Sequence, residues 1–245
     1  MLEYRIAIPT YQRAKKQKTL KYLEDIGMPK GRIVMSVQNK KDYEDYVSEG
    51  IRDRVGELIF KEGEYLPHNR NALMEHFNIG EKMIMLDDDI TMIHKLDGNG
   101  FADVDTLDGF NHIVELGFAL CAKYRTRCFG LYNVDNAYFM KNNYSERAIT
   151  IGTFMGLIVG KERFCTEIMT KGDFEYCCQM IEKTGRSIRL NNYSTRAGHF
   201  DADGCANARK DPERYRKDAE WLANRYPTLL KINKKKPDEV IFRGR

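Results

Sequence analysis

The chain has 245 residues, 42% of them hydrophobic and 31% charged, with a formal net charge of +4; this is enough for one large domain or two packed lobes at roughly 150 residues per domain. The longest apolar run, residues 149–160, is too short and too glycine-rich to cross a bilayer, and Met1-Leu2-Glu3-Tyr4-Arg5 lacks a signal-peptide layout, so a soluble cytoplasmic protein with no membrane partner is expected. The six cysteines (Cys121, Cys128, Cys165, Cys177, Cys178 and Cys205) show neither CxxC pairs nor spacing typical of zinc sites, and read as reduced cytosolic thiols or small core residues.

Arg5-Ile6-Ala7-Ile8-Pro9 reads as a strand ending at a proline. Residues 15–26 carry Leu20, Leu23 and Ile26 at helical spacing, and Gly27-Met28-Pro29 stops that helix. Strands follow at 32–37, 57–60 and 83–86, with helices at 42–49 and 67–78 between them. This β-α-β-α order implies a parallel sheet with right-handed crossovers. Its ligands are expected beyond the carboxyl ends of the strands, where the loops after Ile8, Val37, Phe60 and Leu86 converge. The second half is less regular: helices over 105–124, 173–184 and 211–226, and strands over 128–134, 149–159 and 187–190. The halves are expected to divide near Asp89. From Cys205 to Arg245 there are 12 Lys+Arg against 6 Asp+Glu, so the other residues carry 28 against 30. A basic C-terminal segment on a slightly acidic body suits a polyanionic partner, although a solvated charged helix would look the same.

Met83-Ile84-Met85-Leu86-Asp87-Asp88-Asp89-Ile90 carries the strongest chemical signal. Three adjacent carboxylates at the end of a buried strand repel one another unless a cation neutralises them. Carboxylate oxygens are hard ligands for Mg²⁺ or Mn²⁺, which favour phosphate-bearing substrates. Strand alternation would put Asp87 and Asp89 on one face and turn Asp88 away. The competing reading is a solvated acidic turn. The loop Pro9-Thr10-Tyr11-Gln12-Arg13-Ala14-Lys15-Lys16 offers Tyr11 to stack a base and cations for phosphate. It matches neither GxGxxG nor GxxxxGK[ST], so it is not a dinucleotide fingerprint or a P-loop. Leu66-Pro67-His68-Asn69-Arg70-Asn71 opens a helix whose free N–H groups, with Arg70, suit an anion.

Ile-Pro-Thr-Tyr-x-Arg on the first strand, Asn-Arg-Asn on the helix before the acidic strand, and Leu-Asp-Asp-Asp together resemble GT-A-type glycosyltransferases. The resemblance is at the level of motifs and covers roughly residues 4–200. It implies an α/β, GT-A-like Rossmann-type mainly parallel sheet with flanking helices. Residues 1–204 would form the catalytic domain (1–90 the nucleotide-sugar half, 91–204 the acceptor half), and 205–245 a basic C-terminal helix and tail. Pro9, Thr10, Tyr11, Arg13, Asn69, Arg70, Asp87 and Asp88 would bind a nucleoside-diphosphate sugar. Asp87, Asp89 and His199, which lies in Ala197-Gly198-His199-Phe200-Asp201, would hold Mn²⁺ or Mg²⁺. The Gly152-Thr153-Phe154-Met155-Gly156 strand would line the acceptor side. Asp173, in Lys171-Gly172-Asp173-Phe174-Glu175-Tyr176, would be the general base of an inverting enzyme.

The segment beginning Asp203-Gly204-Cys205-Ala206-Asn207-Ala208-Arg209, together with the basic C-terminal helix, is similar to bacteriophage TET-associated glycosyltransferases. These modify hydroxymethylated pyrimidines in DNA. That similarity implies a UDP-sugar donor, 5-hydroxymethylcytosine or another 5-hydroxymethylpyrimidine in DNA as acceptor, and DNA contacts through Arg209, Lys210, Arg214 and Lys217. For a phage-encoded protein the location would be the host cytoplasm. Three other classes stay open on the residues alone. A saccharide or protein acceptor needs the same donor site. A sugar-phosphate nucleotidyltransferase normally has a glycine-rich first loop, which is missing here. A non-catalytic nucleic-acid-binding module would leave the acids unexplained.

Overall fold

The computed structural model describes residues 3–198 and 211–244. The first strand, β1 (Arg5–Pro9), lies beside β2 (Ile33–Val37), and β3 (Glu57–Phe60) and β4 (Lys82–Leu86) extend the sheet on either side, all four parallel. Their residues are apolar along nearly the whole of β1, β2 and β4, as expected of strands covered on both faces. The covering helices are α1 (Lys18–Asp25), α2 (Lys40–Ser48), α3 (Ile51–Arg54) and α4 (Leu66–His76). Helix α2 starts at Asn39, whose side chain accepts the Asp42 N–H, and α4 starts with Pro67 in its first turn.

The sheet then changes character. A hairpin of β5 (Ile90–Asp97) and β6 (Gly100–Asp103) leads to helix α5 (Leu107–Tyr124), then β7 (Cys128–Tyr132), β8 (Tyr144–Ser145) and β9 (Phe154–Ile158). Helix α6 (Gly172–Thr184) and the ten-residue β10 (Ile188–Ala197) complete the body. The ten-stranded sheet runs β3-β2-β1-β4-β9-β7-β10-β5-β6, with β8 paired to β10. Seven strands point one way and β5, β8 and β9 the other, so the sheet is mostly parallel, as the first-half pattern implied.

Two packing details fix the middle of the sheet. The ring of Phe129 fills the space over Gly156 on β9 and Gly117 on α5; a Cβ on either glycine would lie 1.8 or 2.1 Å from it. After β10, helix α7 (Pro212–Arg225) docks through Leu222 and the buried carboxylate of Asp218. Asp218 accepts the N–H groups of Met169 (3.0 Å) and Thr170 (2.8 Å) and the Thr170 hydroxyl (2.9 Å). A final hairpin, β11 (Leu230–Asn233) and β12 (Lys236–Phe242), packs Val240 and Phe242 against the same core. Among the described residues no helix is long and apolar enough to cross a membrane.

Candidate active site

Strand alternation ends with β4 at Leu86, and Asp88 and Asp89 form the turn into β5. The period-two argument holds only while the ladder continues, so the carboxylates sort differently from the sequence expectation. Arg13 meets Asp88 at 2.9 Å and Asp89 at 3.6 Å, whereas Asp87 meets Arg70 at 2.9 Å. Thr19, fully buried on α1, staples the turn: its hydroxyl donates to the Asp87 carbonyl and accepts the Ile90 N–H (2.9 Å). Asp88 also accepts the Thr10 hydroxyl at 2.6 Å. Burial pushes Asp88 up to about 6, against the opposing pull of Arg13 and Thr10.

Arg70 projects from α4 and is only 4% exposed. Its guanidinium lies over the Phe164 ring, 5.3 Å from the centroid, and its buried Nε has no partner among the described residues. It also crosses the backbone at Gly152 so closely that a Cβ there would stand 2.0 Å from Nη2. Only glycine fits that approach. The Gly152 N–H in turn donates to Oδ2 of Asp173 at 2.8 Å, while Oδ1 of Asp173 accepts the Phe174 N–H at 2.9 Å. Asp173 therefore sits inside the first turn of α6 rather than capping it. The cap position belongs to Lys171, a left-handed residue at φ +58°. The Lys171 ammonium lies over the Tyr215 ring, 4.4 Å from its centroid, and burial lowers its pKa.

These groups open on a cleft of about 930 Å³ at the carboxyl ends of β1, β2 and β4. Tyr11, Arg70, Asp87 and Asp173 all line it. Thr10, Arg13, Asn69 and Asp88 contact the strand ends from behind. Asn69, 1% exposed, donates to the carbonyls of Thr10 (3.1 Å) and Ser36 (2.9 Å), and Pro9 is the buried last residue of β1. Arg214 reaches Asp218 at 3.1 Å and the Glu167 carbonyl at 3.0 Å, and Lys217 meets Glu213 at 2.9 Å. His199, Arg209 and Lys210 lie outside the described residues.

Gln38, Tyr65, Tyr215, Asp238 and Glu239 also line the cleft and were missed by sequence reasoning. Gln38 follows β2 directly and could have been found by the strand-end rule. Tyr215, Asp238 and Glu239 come from α7 and β12, and nothing in the sequence tied those elements to the cleft.

Among the described residues no three His, Cys, Asp or Glu side chains gather as a ready-made metal centre. A Mg²⁺-type ion commonly takes one or two carboxylates and completes its shell with substrate phosphates and water. Asp87, 29% exposed and lining the cleft, fits that open-site chemistry.

No family model and no curated sequence matches the chain. Among solved structures, residues 1–349 of S. aureus TarS in complex with UDP superpose with a TM-score of 0.55 at 14% identity, covering 91% of this chain and 66% of that one. A mannosyltransferase from Pyrobaculum calidifontis, in complex with GDP-Man and Mn²⁺, gives 0.56 at 14% identity, covering 91% and 64%.

The fold is of the GT-A type. This GT-A chain spans about two thirds of the length of either structure. Its cleft occupies the carboxyl ends of the parallel strands, where open α/β sheets take their ligands.

Proposed function

We propose that the protein is a glycosyltransferase that moves a sugar from a nucleoside-diphosphate sugar, a UDP-sugar in the first instance, to a hydroxyl acceptor with Mn²⁺ or Mg²⁺. The observation that carries this is the unit Asp87–Arg70–Gly152–Asp173, which brings a carboxylate for a metal, a guanidinium and a second carboxylate to one cleft. A bound divalent ion would neutralise charge on the leaving diphosphate, with Asp87 as its protein ligand. Arg70, which lines the cleft, donates to the same phosphate oxygens. Tyr11 stacks on the base. Asp173 takes the acceptor hydroxyl proton as that oxygen bonds to the anomeric carbon and the anomeric carbon–phosphate oxygen bond breaks, which inverts the anomeric centre. The GT-A fold and the nucleotide complexes of the two similar structures support this reading. Calorimetric titration with UDP, GDP and CDP, with and without Mn²⁺, tests it. Failure of every nucleotide to bind in the presence of metal overturns it.

For the acceptor we propose a 5-hydroxymethylpyrimidine in DNA, 5-hydroxymethylcytosine first. The support is the cationic C-terminal segment, where Arg216 and Lys217 are exposed on α7 and four further cations, Lys231, Lys234, Lys235 and Lys236, are exposed on the hairpin. A base inside a duplex would have to be extruded to reach Asp173. Hydroxymethylated DNA is assayed beside saccharide and protein acceptors with a panel of UDP-sugars. Transfer to a saccharide or protein and never to the DNA overturns the acceptor while leaving the donor chemistry intact.

A further inference from the structure

The described lining of the cleft is strongly acidic. Glu64, Asp87, Asp173, Asp211, Asp238 and Glu239 stand against Arg70 and Lys171. Apart from a donor diphosphate neutralised by a divalent ion and Arg70, a further string of phosphates entering that space would be repelled. The charge reverses abruptly at its lip. Strand β12 contributes Asp238, Glu239 and Val240 to the lining, and the turn joining it to β11 is Asn233-Lys234-Lys235-Lys236. Lys235 lies three residues before Asp238, so the two are at most about 10 Å apart at the rise of an extended chain.

The hairpin is a firm support. Leu230, Val240 and Phe242 pack inward against the core while Lys231 and Ile241 face out as a cross-strand pair. Lys236 is satisfied by Glu239 at 2.9 Å. Lys231, Lys234 and Lys235 are exposed, and among the described residues none of the three forms an ion pair. Three uncompensated ammonium groups on a rigid edge, next to a cleft whose acidic lining repels the backbone of an acceptor polyanion, divide that acceptor into two parts. One part is a polyanion that stays outside, and the other is a neutral group that enters.

We infer that the exposed edge of the β11–β12 hairpin, through Lys231 on β11 and Lys234 and Lys235 in the turn, is the phosphate-backbone contact of a nucleic-acid acceptor from which a single nucleoside enters the acidic cleft. This rests on the DNA-acceptor reading and adds a surface to it. Each lysine neutralises a phosphate and releases counterions, so binding should be steeply salt-dependent.

The test is fluorescence anisotropy of the full-length protein with a labelled single-stranded oligonucleotide, measured across a range of NaCl concentrations. Lys234→Glu/Lys235→Glu is expected to weaken binding at least about tenfold and to flatten the slope of log K against log salt by about 1.4, at roughly 0.7 per lost single-strand contact. Lys234→Gln/Lys235→Gln should fall between wild type and the Glu pair, and unchanged melting by circular dichroism shows that both variants fold. Equal affinity and slope in all three proteins overturns the inference. So does a wild type that ignores the oligonucleotide at 50 mM salt (roughly the low end at which such contacts are strongest) or that binds phosphatidylserine vesicles in its place. The wild-type nucleotide–Mn²⁺ titration runs alongside. Its failure sinks the donor chemistry and leaves the oligonucleotide result standing on its own.

Discussion

The main-chain N–H of Gly152 lies 2.8 Å from Oδ2 of Asp173, and its Cα lies where any larger residue would strike Arg70. One backbone position thus sets the spacing between the Arg70 guanidinium and the Asp173 carboxylate. Gly152→Ala should push Arg70 off Asp87 and loosen Asp173 together. A displacement near 1 Å in such a site costs about 100-fold in rate. Steady-state kinetics with donor and acceptor check this; kcat/KM within a few-fold of wild type would remove the linkage.

Asp173→Asn keeps an oxygen to accept the Gly152 N–H, gives up the bond from the Phe174 N–H, and removes the proposed base. The expected result is a fall in kcat of about 10²- to 10⁴-fold with nucleotide affinity intact. A loss of nucleotide binding with kcat preserved would assign Asp173 to the donor instead.

Asp87→Ala should abolish the dependence of nucleotide binding on Mn²⁺ and also destabilise the fold, because it leaves the Arg70 charge, 4% exposed, without its partner. The cost is about 2–3 kcal/mol, below that of a fully buried pair because Asp87 is 29% exposed. Asp87→Ala/Arg70→Met should recover most of the stability and none of the metal dependence. Urea denaturation and calorimetry read the two effects separately.

Gly156→Ala drives a methyl into the Phe129 ring from the sheet side. Overpacking of this kind costs about 1–3 kcal/mol. Thermal unfolding should register it, with nucleotide affinity unchanged because Gly156 does not line the cleft.

Glu175 is 3% exposed and accepts bonds from the Tyr226 hydroxyl (2.6 Å) and the Gln179 amide. Burial raises its pKa despite those bonds. The native state therefore holds this proton more tightly than the unfolded chain does. The associated stability is complete below the ordinary carboxylate range and is lost as pH rises through the raised value. Glu175→Gln should flatten that decline. An identical stability–pH curve for the variant and wild type, measured by urea titration from pH 4 to 8 (about the window that spans the shift), would show that the carboxyl is not the source.

Much of the fold was written in local pattern. The β1, β2, β3 and β4 strands and the α1, α2 and α4 helices lie within a few residues of their expected positions, because buried parallel strands and amphipathic helices are encoded by neighbours in sequence. The misses have one cause in common. Strand β10 continues through Asn191-Asn192-Tyr193-Ser194-Thr195, where the polar residues are satisfied by side chains distant in sequence. Ser194 donates to Asp135 at 2.7 Å, and Thr195 to Thr153 at 2.8 Å. The β5–β6 and β11–β12 hairpins likewise interleave charged and apolar residues and exist through pairing and packing. At the site, Tyr11, Arg70, Asp87 and Asp173 were legible as motifs. The division of the acidic triplet between Arg13 and Arg70 was not, because it depends on where β4 stops.

The three hydrogen bonds that Asp218 receives from residues 169 and 170 have a practical bearing on anyone who shortens or exchanges the C-terminal segment. They end two residues before α6 begins, so removing α7 would unmoor the stretch that delivers Asp173. A chimaera built to test the proposed acceptor contacts should therefore exchange residues 231–236 and leave α7 in place.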